Sequence, residues 1–170
     1  MPGAERFYVR TVEALVIAGL ALMVAITFVS TVLRMLAGSG GLYWAEEITR
    51  YTSIWVVFLA SGLTIRYGVH FRVDLLVARL PARMQAAISA IVCLLMLSFE
   101  AVLIYFGTVV ALSNMDQQST SLEFPMGYAY AAIPVGGVLM LYETVRAFLA
   151  TVRTGAATVA PDGAAPALVD

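Results

Sequence analysis

Residues that support redox and metal chemistry in membranes are almost absent from this sequence. Cys93 is its only cysteine and His70 its only histidine. A disulfide within the chain and a haem bound by two histidines are therefore excluded, and a cysteine-based metal site would lack ligands. A quinone-linked disulfide generator is excluded too, because it needs paired cysteines. Cys93 lies in an apolar stretch, where a small packing residue is expected.

Charge is also scarce. Charged residues make up 12% of the 170 residues and hydrophobic residues 61%, whereas soluble domains carry about 25% charged residues. The chain is therefore predicted to be an integral membrane protein in contact with membrane lipid. Lysine is absent, and the ten basic residues, all arginine, form no run typical of nucleic-acid binding. We expect no nucleic-acid partner.

Long apolar segments predict an all-α fold with four transmembrane helices. The first segment has 20 uncharged residues from Ala14 to Leu33, about 30 Å as a helix, which matches the thickness of a bilayer core. Arginines precede it, as in a signal peptide, but a signal-peptide core has only about 7–15 apolar residues. We interpret the segment as a retained helix. The predicted helices are 11–36, 42–67, 84–113 and 124–148.

These helices form one predicted domain over 1–153. Pro134 lies inside the fourth helix and indicates a kink. The remaining segment, 154–170, is mostly alanine, glycine and proline, and it is predicted to be a disordered cytoplasmic tail.

The segment between the second and third helices has its own apolar pattern. Val69, Val73, Leu76 and Leu80 recur at spacings of four, three and four, and Pro81 follows them. This pattern favours a short helix lying in the membrane interface over a plain tight loop.

Arginines are distributed unevenly among the loops. If four helices alternate across the membrane, eight arginines fall on the side of both termini, and only Arg34 and Arg50 fall on the other side. The positive-inside rule then places both termini in the cytoplasm.

A charged cluster, Trp44-Ala45-Glu46-Glu47-Ile48-Thr49-Arg50, lies between the first two apolar cores. Ionisable groups so near hydrocarbon are costly unless they are paired, which makes them functional candidates. Either glutamate is spaced to pair with Arg50, and Arg34 is expected to pair with the glutamate that Arg50 leaves free. Two interpretations remain open. The cluster is a set of anchors, Trp44 among them, that fixes helix depth, or it joins the first two helices and docks a partner subunit.

Three further carboxylates lie within or near the predicted helices. Glu100, near the middle of the third helix, is expected to relay protons, to pair with an arginine, or to hydrogen-bond in its protonated form across helices. Glu13 and Glu143 lie near helix ends. They are expected at the interface or paired with Arg10 and Arg146, each three residues away.

Several short sequence pieces occur in a characteristic order between Arg10 and Arg146. They are Val32-Leu33-Arg34, Trp44-Ala45-Glu46-Glu47, Arg50-Tyr51, Arg66, His70-Phe71-Arg72-Val73-Asp74, Leu80-Pro81, Ser121, Pro125 and Ile133-Pro134-Val135-Gly136. In order and spacing they resemble the small, DctQ-type membrane subunit of tripartite ATP-independent periplasmic (TRAP) transporters. Ala60-Ser61-Gly62 departs from the family pattern, which has a glycine slightly earlier, and this concerns packing detail.

The resemblance implies a multi-pass protein of the bacterial inner membrane that acts as a non-catalytic scaffold. In such transporters a DctP-type periplasmic binding protein captures an organic acid, often a C4-dicarboxylate or sialic acid. A DctM-type large membrane subunit carries the transport site and the sodium coupling. No catalytic residue, cofactor or metal ligand is implied for the small subunit. Structural or partner-contact roles are expected for Arg34, Trp44, Glu46, Glu47, Arg50, His70, Asp74, Glu100, Pro125 and Pro134.

Two other functions remain open. A self-sufficient, proton-coupled transporter built as a small homo-oligomer would also have four helices, as the small multidrug exporters do. Those exporters have an essential glutamate inside helix one, whereas Glu13 lies at the edge of that helix here. A membrane enzyme would need an acid, a base and a nucleophile at one depth, and the sequence offers no such set.

Overall fold

The computed structural model describes residues 3–37, 43–67 and 81–154. Within these ranges the secondary structure is helical, apart from an isolated antiparallel bridge between Gln118 and Pro125. Four stretches are long and apolar enough to cross a membrane, the last of them formed by α4 and α5 together. The predicted all-α architecture with four spans is therefore confirmed. The helices are α1 (Gly3–Ala37), α2 (Tyr43–Arg66), α3 (Ala82–Ser113), α4 (Gly127–Tyr130) and α5 (Ala132–Thr154).

Helix boundaries differ from the predicted ones mainly at the chain's beginning. α1 begins at Gly3 rather than at 11, because the charged residues before the apolar core continue the helix instead of preceding it. Arginine and glutamate are good helix formers, so charge by itself does not end a helix. At the other end of the chain, α5 includes Thr154. The predicted interfacial helix, the tail from 155 onward, His70 and Asp74 all lie outside the described residues.

The fourth span is two helical pieces rather than the single kinked helix predicted over 124–148. α4 ends at Tyr130 and α5 begins at Ala132. Pro134 has no N–H to donate to the carbonyl of Tyr130, four residues earlier, and its ring crowds that carbonyl. The interruption therefore lies where Pro134 disfavours the helical hydrogen bond.

The four spans pack as a row rather than as a closed bundle. α1 packs on α2, α2 on α5, and α5 on α3, which gives the spatial order α1, α2, α5, α3. Burial follows this order. None of the apolar window of α1 is buried within the chain, and only 6% of that of α3, compared with 33% for the span made by α4 and α5. The two outer helices therefore offer most of their apolar surface to their surroundings.

Glycines let neighbouring helices in the row approach closely. A β-carbon built on Gly136 of α5 would lie 2.6 Å from Cβ and 2.9 Å from the carbonyl oxygen of Phe58 on α2. A β-carbon on Gly107 of α3 would lie 2.7 Å from Cγ2 of Ile133 on α5. Small residues at helix crossings allow this backbone approach, which helices in lipid use in place of a hydrophobic driving force.

Two glycines of the α2–α5 interface provide a matched test of this packing. We expect Gly136→Ala to reduce stability by about 1–3 kcal/mol, because the new methyl group meets backbone as well as side-chain atoms. Gly62→Ala should be close to neutral. Its β-carbon would lie 3.2 Å from Cβ of Leu139, and alanine favours the helix by roughly 1 kcal/mol. Unfolding of each purified variant in detergent measures the difference, and an equal or larger loss at Gly62 would contradict the packing.

Candidate functional site

Polar side chains collect at the two ends of the helix row. One end contains the last residues of α1, the beginning of α2 and the loop 114–126, and we call it the Glu47 end. The opposite end contains the beginning of α1, the last residues of α2 and the C-terminal half of α5, and we call it the Glu143 end. Buried carboxylates hold helices or loops together at both ends.

Glu47 fastens the loop 114–126 to α2. Its side chain is buried and accepts hydrogen bonds from the Ser119 hydroxyl at 2.6 Å, the Ser121 N–H at 3.1 Å and the Leu122 N–H at 3.2 Å. Hydrogen bonds to an ionised carboxylate are stronger than those between neutral groups. A carboxylate about one turn from the start of α2 thus supplies the acceptors that a loop more than 70 residues away in the sequence requires.

The loop that Glu47 holds is itself a compact turn. The Ser119 N–H donates to the Phe124 carbonyl at 2.9 Å, and the Met126 N–H donates to the Gln117 carbonyl at 2.8 Å. Pro125 lies in this ladder, half-buried, in the bridge opposite Gln118. Backbone hydrogen bonds within the loop therefore hold its two sides together, in addition to its contacts with Glu47 of α2.

The charged cluster at the Glu47 end is paired differently from one of the predicted arrangements. Arg34 Nη2 lies 3.0 Å from Glu46 Oε1, so the expected link between α1 and α2 is present. Both side chains are more than half exposed, and such pairs add little stability. Arg50 pairs with neither Glu46 nor Glu47 in the described part of the chain, although the spacing permits it. The reason is tertiary, because α1 engages one glutamate and the loop engages the other. Trp44, the first residue of this cluster, is exposed.

Arg66 and Glu143 form a buried ion pair at the Glu143 end. Arg66 Nη1 lies 3.0 Å from Glu143 Oε1, and their side chains are only 6% and 1% exposed. Arg146 Nε lies 2.9 Å from Glu143 Oε2, the pairing expected from their spacing. Arg66 Nη2 also lies 3.6 Å from Glu5 Oε2, which brings α1 into the same network. This network therefore joins α1, α2 and α5.

Sequence reasoning missed the contribution of α2 to this end. Glu13 accepts a hydrogen bond from the Tyr67 hydroxyl, and within the described residues it makes no ion pair with Arg10. That bond raises the pKa of Tyr67, because it stabilises the protonated phenol. The sequence places Arg66 and Tyr67, at the C-terminal end of the second span, on the same side of the membrane as Glu13 and Glu143. A shared side of the membrane indicates which residues could meet, but it does not reveal which helices are neighbours.

Glu100 and Pro134 lie at the interface between α3 and the fourth span. The Thr144 hydroxyl donates to Glu100 Oε1 at 2.6 Å, and Glu100 is buried. A hydrogen bond across helices is therefore present, with Glu100 as its acceptor. Pro134 packs close to Gly107, where a β-carbon would lie 3.0 Å from the proline Cδ. Within the described ranges, no three His, Cys, Asp or Glu residues are grouped so that they could hold a metal ion.

Comparison with known proteins identifies the family. The family described as "Tripartite ATP-independent periplasmic transporters, DctQ component" matches residues 23–154. The chain belongs to this family. A putative TRAP transporter small permease protein of Haemophilus influenzae is 30% identical over 152 residues, covering 89% of this chain and 94% of that protein. The resemblance seen in the sequence is thus confirmed, and this DctQ-type subunit is a membrane transport component rather than a member of a catalytic family.

Other relatives in the TRAP family carry different names. The C4-dicarboxylate TRAP transporter small permease protein DctQ of Rhodobacter capsulatus is 28% identical, with matches over 67% of this chain and 51% of that protein. The isethionate TRAP transporter permease protein DctMQ of Oleidesulfovibrio alaskensis is 30% identical, over 82% of this chain and 23% of that protein. The chain therefore spans about half of the first of these relatives and about a quarter of the second.

Neighbouring glutamates at the Glu47 end allow a matched test of the loop anchor. We expect Glu47→Gln to lower the unfolding temperature by several degrees and to speed proteolysis within the loop 114–126, because an amide nitrogen would replace one acceptor oxygen. Glu46→Gln should change both quantities little, since its partner Arg34 is exposed. Limited proteolysis of the purified variants measures loop opening. If both substitutions loosened the loop equally, the anchor would be excluded.

The buried ion pair at the Glu143 end provides a second test. Glu143→Ala leaves the Arg66 guanidinium buried without its carboxylate, and the expected loss is about 3–5 kcal/mol. Replacing both residues, as in Arg66→Met with Glu143→Leu, should restore much of that stability, because no buried charge remains. Unfolding of the single and double variants in detergent measures the coupling. A double variant no more stable than Glu143→Ala would argue against the pair.

Proposed function

We propose that this chain is a non-catalytic scaffold that packs against a DctM-type large membrane subunit of a TRAP transporter. The supporting observation is the helix row, in which the outer helices α1 and α3 have almost no buried apolar surface within the chain. A layer of this kind has two broad apolar faces, and a large membrane subunit can cover one of them. The charged groups of α1, α2 and α5 mostly hold the layer together.

A relative supports the association with a large subunit. The protein from Oleidesulfovibrio alaskensis is named DctMQ, and this chain matches only 23% of its length. Its name combines the two membrane components in one polypeptide. In the transporter proposed here, the large subunit carries the transport site and the sodium coupling, so the small subunit needs no cofactor of its own.

The proposed solute is a small organic acid delivered by a DctP-type periplasmic binding protein. The names of the relatives differ in solute: C4-dicarboxylate for the Rhodobacter capsulatus protein, isethionate for the Oleidesulfovibrio alaskensis protein and ectoine for a Halomonas elongata protein that is 24% identical. This variation among related small subunits favours a solute choice made in another component. We therefore assign uptake of an organic acid, of C4-dicarboxylate or a similar type, to the assembled transporter.

The proposed location is the bacterial inner membrane with both termini in the cytoplasm. The arginine distribution in the sequence supports this orientation, since eight of the ten arginines precede the first span, follow the fourth span or lie between the second and third spans. The Glu47 end, with the loop 114–126, then faces the periplasm. A binding protein that delivers solute to the large subunit would approach from that side.

Purification of the assembled transporter tests the proposal. With an affinity tag on a DctM-type large subunit expressed together with this chain, we expect the two proteins to be recovered together in equal amounts. Liposomes holding both subunits should take up solute with the binding protein and a sodium gradient, whereas liposomes holding this chain alone should not. A small subunit that is stable and unbound in the presence of the large one would overturn the proposal. Proton-driven transport by this chain alone would favour the self-sufficient transporter instead.

A further inference from the structure

We infer that the exposed face of α2 around Arg50 is a docking surface for a carboxylate-bearing transmembrane helix of the large membrane subunit. The inference rests on the proposed function, because it names the surface through which the scaffold binds its partner. Arg50 is exposed on a helix that occupies an inner position in the row, where its neighbours cover two other faces of the same helix.

The carboxylates nearest to Arg50 in the chain are already engaged. Glu46, one turn away, pairs with Arg34 at 3.0 Å. Glu47 is turned into the loop and accepts three hydrogen bonds there. The exposed group made by Arg34, Glu46 and Arg50 therefore carries one net positive charge. One additional anion would neutralise this group.

No other carboxylate among the described residues pairs with Arg50 at this end. The five residues 38–42 that join α1 to α2 are Gly-Ser-Gly-Gly-Leu and contain no carboxylate. Asp116 and Glu123 lie in the loop 114–126, are exposed, and make no ion pair with Arg50 in the described part of the protein. The missing negative charge is therefore expected from outside the chain.

The depth of Arg50 favours a protein carboxylate over a lipid phosphate. Trp44 and Tyr43 are exposed at the beginning of α2, where aromatic residues typically mark the membrane interface. Arg50 lies six residues further along the helix than Trp44, which is about 9 Å toward the bilayer centre. An arginine at that depth is costly when it faces lipid, and such residues usually face protein.

The shape of the α2 face also suits a helix. Val56 faces α1, and Phe58 and Gly62 face α5, whereas Arg50 and Val57 lie two helical turns apart on the face that neither neighbour covers.

Small hydroxyl side chains complete this face. Ser53, Ser61 and Thr64 donate to carbonyls of their own helix, those of Arg50, Val57 and Ala60, at 2.7–2.9 Å. Their hydroxyls are thus satisfied in an apolar setting, and their small volume lets a partner helix approach closely.

Binding of the large subunit to matched arginine variants tests the inference. We expect Arg50→Gln to weaken the affinity for the large subunit on the order of 100-fold, the scale of removing one partner of a buried ion pair. Arg50→Lys should recover part of the loss. Arg10→Gln removes the same charge from an exposed position at the opposite end and should bind as the unchanged chain does. Each variant alone should keep its unfolding temperature, because Arg50 is exposed in the isolated chain.

A photoactivatable residue at Val57, on the same face, identifies the occupant directly. We expect a covalent adduct with the large subunit in the assembled complex. If the unchanged chain binds but Arg50→Gln binds equally well, or if Val57 labels lipid only, the docking surface is wrong and the scaffold function stands. If the unchanged chain does not bind the large subunit, both proposals are overturned.

Discussion

The buried ion pair between Arg66 and Glu143 is the interaction on which the helix row depends. It joins α2 to α5, the two central helices, and through Glu5 it also holds the beginning of α1. Burying two charges has a large desolvation cost, which is offset here because the two charges lie 3.0 Å apart. Lipid is as apolar as the helix surfaces, so it provides no hydrophobic driving force between helices. Polar links and close glycine contacts therefore determine which helices are neighbours.

The same constraint explains the opposite end. Every charge near the membrane needs a partner, and the chain resolves this need for Glu47 through the loop and for Glu46 through Arg34. Arg50 is exposed, and among the described residues it pairs with no carboxylate of its own chain. In a self-contained protein that exposure would be a defect, but in a subunit of a larger assembly it is a point of attachment.

Much of the fold follows from composition and helical period, because a membrane span must satisfy its backbone within one helix. The four spans and a disturbance of the fourth at Pro134 were predictable on that basis, although the helix is interrupted there rather than kinked. Arg34 was expected to pair with one of the two glutamates, and the sequence did not indicate that it would be Glu46. The links that fix the packing order were not predictable. Ser119 lies 72 residues from Glu47, and Arg66 lies 77 residues from Glu143. Helical spacing reports which residues share a face of one helix, and it carries no information about which helix that face meets. The pairing of Arg50 with its own helix was plausible for the same reason, and tertiary partners displaced it.

A cryo-EM structure of the complex with the large subunit would test the central claim most directly, namely that internal ion pairs and hydrogen bonds hold the helix row together and that Arg50 binds the partner. We expect a large-subunit helix over the α2 face, with a carboxylate oxygen within roughly 4 Å of the Arg50 guanidinium. The Arg66–Glu143 and Glu47–Ser119 contacts should be unchanged. Lipid density over Arg50, with the large subunit bound elsewhere, would contradict it.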